Sequence, residues 1–168
     1  MKTAIFFGSK SDTETMKKAA DVLREFGVEY SAYAISAHRA GDLLIKIVEQ
    51  CEKEGCEVII AGAGLSAALP GVIAGHTVLP VVGVPLECVT PGKSNGLGGM
   101  DALLSTVQMP PQIPVASVGI NNAKNAAYLA LEILGINSRK SGATARAGCK
   151  GSFSAKYTLL SRLALANY

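Results

Sequence analysis

Short apolar runs rich in β-branched residues alternate along this chain with segments whose apolar residues recur every three or four positions, and that alternation leaves few folds open. Strands buried on both faces need continuous apolar runs, and strand–helix–strand repeats close into one sheet through right-handed parallel crossovers. Strands are predicted at Ala4–Phe7, Val28–Ile35, Val58–Ala61, Val81–Val84 and Val115–Val118. The fold class is therefore α/β, with a central parallel sheet of about five strands covered by helices on both faces.

Ser11 and Glu14 have the spacing of a capping box, and Met16, Ala19, Ala20, Leu23 and Phe26 follow at helical period up to Gly27. A second helix is predicted over Asp42–Glu54, with Leu43, Leu44, Ile47, Val48 and Cys51 on its apolar side and Gly55 as its stop. A third covers Asn122–Leu134 and ends at Gly135, while Ala67–Ala74 and Asp101–Gln108 read as shorter helices. Thr90–Gly99 is rich in glycine and turn formers and reads as a mobile loop, a candidate lid. Beyond Gly135 the periodicity fades until a weak stripe at 157–165, so the chain divides into an α/β part, 1–136, and a tail, 137–168, with one short helix.

With 168 residues, 49% of them hydrophobic and 17% charged, the chain is long enough for one well-filled core and too apolar to be disordered. No apolar run is long enough to span a bilayer, which argues against a membrane protein. The apolar stretch after Met1 is too short for a signal peptide, so a cytoplasmic location is the expectation. The net charge of +3 owes much to Arg139, Lys140, Arg146, Lys150, Lys156 and Arg162, which lack the interleaved aromatic residues of a nucleic-acid platform. Nucleic acid is not the expected partner. Cys51, Cys56, Cys88 and Cys149 form no CxxC pair and read as reduced structural thiols.

In an open parallel sheet, ligands bind beyond the carboxyl ends of the strands, so the residues just after each strand carry the most weight. After the first strand, Gly8-Ser9-Lys10-Ser11-Asp12 is a small-residue turn entering a helix, where free N–H groups favour an anion such as phosphate; a tight turn with an N-cap is the alternative. After the second, Ser36-Ala37-His38-Arg39 sets an imidazole, the candidate acid/base, beside a guanidinium suited to phosphate. His76, at the end of a short helix, suits a surface or capping role better. After the third strand, the small residues from Ala61 through Gly64 and Ser66 to Gly71 let backbone approach a planar ligand, or serve only close helix–strand packing.

Taken in order, GSKSD at 8–12, SAHR at 36–39, AGAG at 61–64 with LPG at 69–71, LPVVGVP at 79–85, MDALLSTVQMP at 100–110 and PVASVGINNAKNAA at 114–127 resemble the PurE family. These are the aminoimidazole ribonucleotide carboxylases and carboxyaminoimidazole ribonucleotide mutases of purine biosynthesis, and the resemblance covers about residues 3–136. It implies a flavodoxin-like three-layer fold and a homo-octamer with sites between subunits. It implies no metal and no organic cofactor, and a ribonucleotide and CO₂ as the small-molecule partners.

Carried over residue by residue, Ser9 and Asp12 would hold the phosphate and ribose region, Arg39 the phosphate, and Ser36 would line the site. Ala63, Gly64, Leu65 and Ser66 would contact substrate, and His38 would move the proton at the ring carbon that receives carboxylate. The implied reaction converts N5-carboxyaminoimidazole ribonucleotide to its 4-carboxy isomer. The alternatives are a CO₂-dependent carboxylase of aminoimidazole ribonucleotide and a non-catalytic nucleotide-binding homologue. This chain departs from the family pattern in three places: Ala68 stands where most bacterial mutases have the histidine of AAHLPG, the 90–99 segment is longer, and the tail lacks the charged helix of the family.

Overall fold

In the computed structural model, residues 2–90 and 93–140 are described, with backbone alone at 90, 93, 94 and 137–140. The predicted helix at 157–165 and Cys149 lie outside the described residues. The sheet comprises β1 (Lys2–Phe7), β2 (Glu29–Ala34), β3 (Cys56–Gly64), β4 (Val81–Leu86) and, after a hairpin of β5 (Cys88–Thr90) and β6 (Lys93–Asn95), β7 (Ala116–Ser117). Its order is β2-β1-β3-β4-β7, and every neighbouring pair is parallel. This is the flavodoxin-like winding.

Alternate side chains of the strands feed two cores. Ile5, Val58, Ile60, Val82, Val84 and Leu86 face one side with residues of α1 (Thr13–Glu25) and α5 (Ala123–Lys140). Ala4, Phe6, Ile59, Ala61, Ala63 and Val81 face the other, against α2 (Gly41–Lys53), α3 (Ala68–Ala74) and Ala102 of α4 (Met100–Val107). Burying each Val, Leu or Ile on these faces contributes roughly 1.5–3 kcal/mol, so the three-layer order follows from the period-two strands.

Four local expectations are corrected. The Ser11–Glu14 capping box does not form: a 3₁₀ turn at Lys10–Asp12 precedes α1, and the Ser9 hydroxyl accepts from the Ser11 N–H at 3.4 Å. Leu43 is 54% exposed because the buried stripe of α2 runs through Leu44, Val48 and Cys51, one helical face away. Gly27 and Gly55 end their helices in left-handed backbone, but Gly135 does not, and α5 continues through it to Lys140. Finally, part of the 90–99 loop is ordered. Residues 93–95 pair with 88–90 as antiparallel β6 and β5; polar residues on that strand hide the pairing from any hydropathy pattern.

Candidate active site

Strand register brings the loops after β1, β2 and β3 to one edge. Phe7 is level with Ala34 on one side and Gly62 on the other, and Gly64 is level with Leu86. From β1 the chain winds outward to β2 and then back past β1 to β3, so connections diverge there and leave a crevice. Backbone bonds hold its walls: the Gly8 N–H donates to the Gly62 carbonyl at 3.3 Å and the Ile35 N–H to the Phe7 carbonyl at 2.8 Å.

The crevice is a cleft of about 390 Å³, and Ser9, Asp12, Ser36, His38, Ala63, Gly64, Leu65 and Ser66 all line it. Arg39 does not. It comes after His38 in the same turn but is exposed outside the wall. That turn is closed by the Arg39 and Ala40 N–H groups, which both donate to the Ser36 carbonyl at 3.3 and 3.0 Å, and it leaves His38 exposed at the cleft. His76 is elsewhere, its Nδ1 donating to the Val72 carbonyl at 2.8 Å to cap α3.

Around α1 the polar wall is built from short side chains. Ser11 Oγ lies 3.0 Å from Ser9 Oγ and 3.4 Å from Asp12 Oδ1, so its single proton serves one of them at a time. Asp12 is half-buried. Desolvation raises its carboxyl above the usual aspartate range, opposed by hydrogen bonds from the Ser9 backbone and the Ser11 hydroxyl.

Cys88 also lines the cleft, which the sequence reading missed by treating it as a structural thiol. It arrives there because Asn121, in left-handed backbone, ties down the exit of β4: its N–H donates to the Pro85 carbonyl at 2.9 Å and its Oδ1 accepts from the Glu87 N–H at 3.0 Å. The signal was available, since Cys88 is two residues past the carboxyl end of a sheet strand. Gly64 must lack a side chain here. A Cβ on it would stand 3.0 Å from the Leu86 carbonyl oxygen and 3.6 Å from Cys88 Cβ. Ala68 and Leu69 complete the apolar part of the wall. Among the described residues no three His, Cys, Asp or Glu side chains form a metal-binding group, and no helix is long and apolar enough to cross a membrane.

With this geometry in place, the sequence model of the AIR carboxylase family matches residues 2–148. The chain belongs to the AIR carboxylase family. Among its relatives, the N5-carboxyaminoimidazole ribonucleotide mutase of Saccharolobus solfataricus is 50% identical over 135 residues, 80% of this chain and 82% of that protein. The mutase of Pyrococcus abyssi is 56% identical over 135 residues, 80% and 74% of the two chains. A chloroplastic phosphoribosylaminoimidazole carboxylase of Vigna aconitifolia is 47% identical over 129 residues, 77% of this chain but 22% of that longer protein. A crystal structure of PurE from Treponema denticola superposes with a TM-score of 0.77 at 25% identity, covering 96% of this chain and 94% of that one.

Proposed function

We propose that this chain isomerises N5-carboxyaminoimidazole ribonucleotide to 4-carboxyaminoimidazole ribonucleotide in purine biosynthesis, with His38 as the general acid/base. The observation that carries the reading is the single imidazole, His38, in one cleft with the Ser9–Asp12 turn at the start of α1. Phosphate would dock at that turn, where N–H groups and the helix dipole favour an anion, with Arg39 reaching from the rim. Asp12 and Ser36 would meet the ribose, and Ala63, Gly64, Leu65 and Ser66 would face the ring.

The chemistry needs little else. Protonated His38 gives its proton to the exocyclic nitrogen as the N–C bond of the carbamate breaks, leaving an amine and CO₂. The aminoimidazole is enamine-like, so C4 attacks CO₂ and forms the new C–C bond, and the neutral imidazole then takes the C4 proton. Protons balance, and His38 ends in the state in which it began.

A second reading, a carboxylase that takes CO₂ from solution, draws on Ala68 in the cleft wall, where the AAHLPG pattern has histidine. Feeding purified protein either the carbamate or aminoimidazole ribonucleotide with bicarbonate separates the two. Rapid 4-carboxylated product from the carbamate supports the mutase; product from bicarbonate alone overturns it. We further propose a homo-octamer, supported by Met100, Leu104 and Val107, which recur at helical spacing on α4 and are exposed in the single chain. Residues 1–136 form the catalytic part in this reading, and the cytoplasm is its compartment.

A further inference from the structure

Leu65 stands in the cleft wall with φ of 55°, in the left-handed region. That backbone crowds Cβ against the next carbonyl, and glycine, or asparagine and aspartate, adopt it far more readily than a branched apolar residue. Leu65 is also 43% exposed, so burial in a core does not offset the strain. Glycine would make the same turn at less conformational cost. The turn itself therefore does not require the side chain, and strained residues of this kind gather at functional sites.

The surroundings indicate what the side chain does there. Ser9, Ser11, Asp12, Ser36 and His38 come from the loops after β1 and β2, whereas Ala63, Ala68, Leu69 and Cys88, with Ser66 as the one hydroxyl among them, come from β3 and from the segments after β3 and β4. Since the sheet order is β2-β1-β3-β4, the cleft has a polar side and a mainly apolar side, and Leu65 belongs to the second. Across from it the β6–α4 connection makes room: Gly96 has φ of 79°, and a Cβ there would meet the Asp101 carboxylate first and stand 2.9 Å from Leu65 Cδ2. Gly96 thus leaves space for both Asp101 and Leu65.

We propose that Leu65 is a positioning residue that keeps the released CO₂ against the ring, by closing the apolar side of the cleft to water. The inference rests on the mutase reading above. Carbon dioxide is neutral and apolar, and between cleavage of its bond to nitrogen and formation of its bond to C4 nothing covalent holds it. A dry wall is then what decides between capture and escape.

The test uses two variants whose new residues suit left-handed backbone, Leu65→Gly and Leu65→Asn. Each is supplied with the unlabelled carbamate in ¹³C-bicarbonate buffer equilibrated by carbonic anhydrase, and a sample without enzyme gives the spontaneous rate. Mass spectrometry reads ¹³C in the 4-carboxylate, and the free aminoimidazole ribonucleotide is quantified alongside. The parent should give essentially unlabelled product, and both variants should show several-fold more label and more free amine. Their thermal midpoints should equal or exceed the parent's, since strain is removed. Unlabelled product from both variants overturns the role of Leu65 while leaving the mutase intact, as does a fall in both midpoints. Heavily labelled product from the parent overturns retention and favours the carboxylase. No 4-carboxylated product from the parent rejects the function and this inference together.

Discussion

The thioether of Met16, from α1, occupies the space that a side chain on Gly62 of β3 would need. A Cβ at Gly62 would meet Met16 Sδ and Cε and lie 3.2 Å from Leu86 Cδ1. Both residues are buried, and Gly62 also accepts the hydrogen bond that anchors Gly8 at the cleft.

Gly62→Ala should therefore destabilise through overpacking by about 1–3 kcal/mol. Met16→Ala in the same chain should recover part of that loss, so the double variant should be more stable than the sum of the singles implies. Urea unfolding midpoints of the four proteins measure this coupling. Strict additivity would show that the two residues do not compete for one space.

Asp12→Asn bears on the polar wall. Its raised pKa means that the ionised carboxyl is disfavoured in the folded chain. The stability contributed by proton binding is complete below the unfolded aspartate value of about 3.9 and is lost as pH rises through the higher folded value. Asparagine should thus be more stable than the parent at neutral pH, and the gap should close on acidification below about pH 4. Thermal midpoints across pH 3–8 check the sign, and the same variant should bind the ribonucleotide less tightly.

Replacing the imidazole separates chemistry from binding. His38→Asn should lower kcat by roughly 10²–10⁴-fold, the usual worth of a general acid/base, with product affinity by calorimetry nearly unchanged. Turnover at the parent's rate would remove His38 from the mechanism.

Thiol chemistry should distinguish the cysteines. Cys51 and Cys56 are buried, and desolvation raises both thiols above their ordinary range, whereas Cys88 is half-buried in the cleft wall. In a Cys149→Ser background, brief iodoacetamide treatment should label Cys88 first and reduce turnover in step, with protection by bound product. Peptide mapping identifies the site; labelling of Cys88 without loss of activity would place it outside the substrate's reach.

On α4, Leu104→Glu should dissociate the proposed octamer, because a charge then replaces one of three apolar side chains on an exposed face. Sedimentation velocity reads the result directly, and an unchanged assembly would show that another face joins the subunits.

The sequence by itself determined the α/β class, the five sheet strands and the loops that bear His38, Ser9, Asp12 and Ser36, because period and turn chemistry are local properties that neighbours in the chain express. It placed α1 and α2 by their apolar stripes and their stops at Gly27 and Gly55, where left-handed backbone demands glycine. Tertiary structure decided the rest. The pairing of Cys88–Thr90 with Lys93–Asn95 rests on backbone hydrogen bonds to a strand made only of polar residues. The exposure of Leu43, the continuation of α5 through Gly135, the entry of Cys88 into the cleft and the seat of Leu65 opposite Gly96 depend on packing between distant segments. Such contacts leave no period in the chain, since what selects them is the shape of the neighbour rather than the order of the residues.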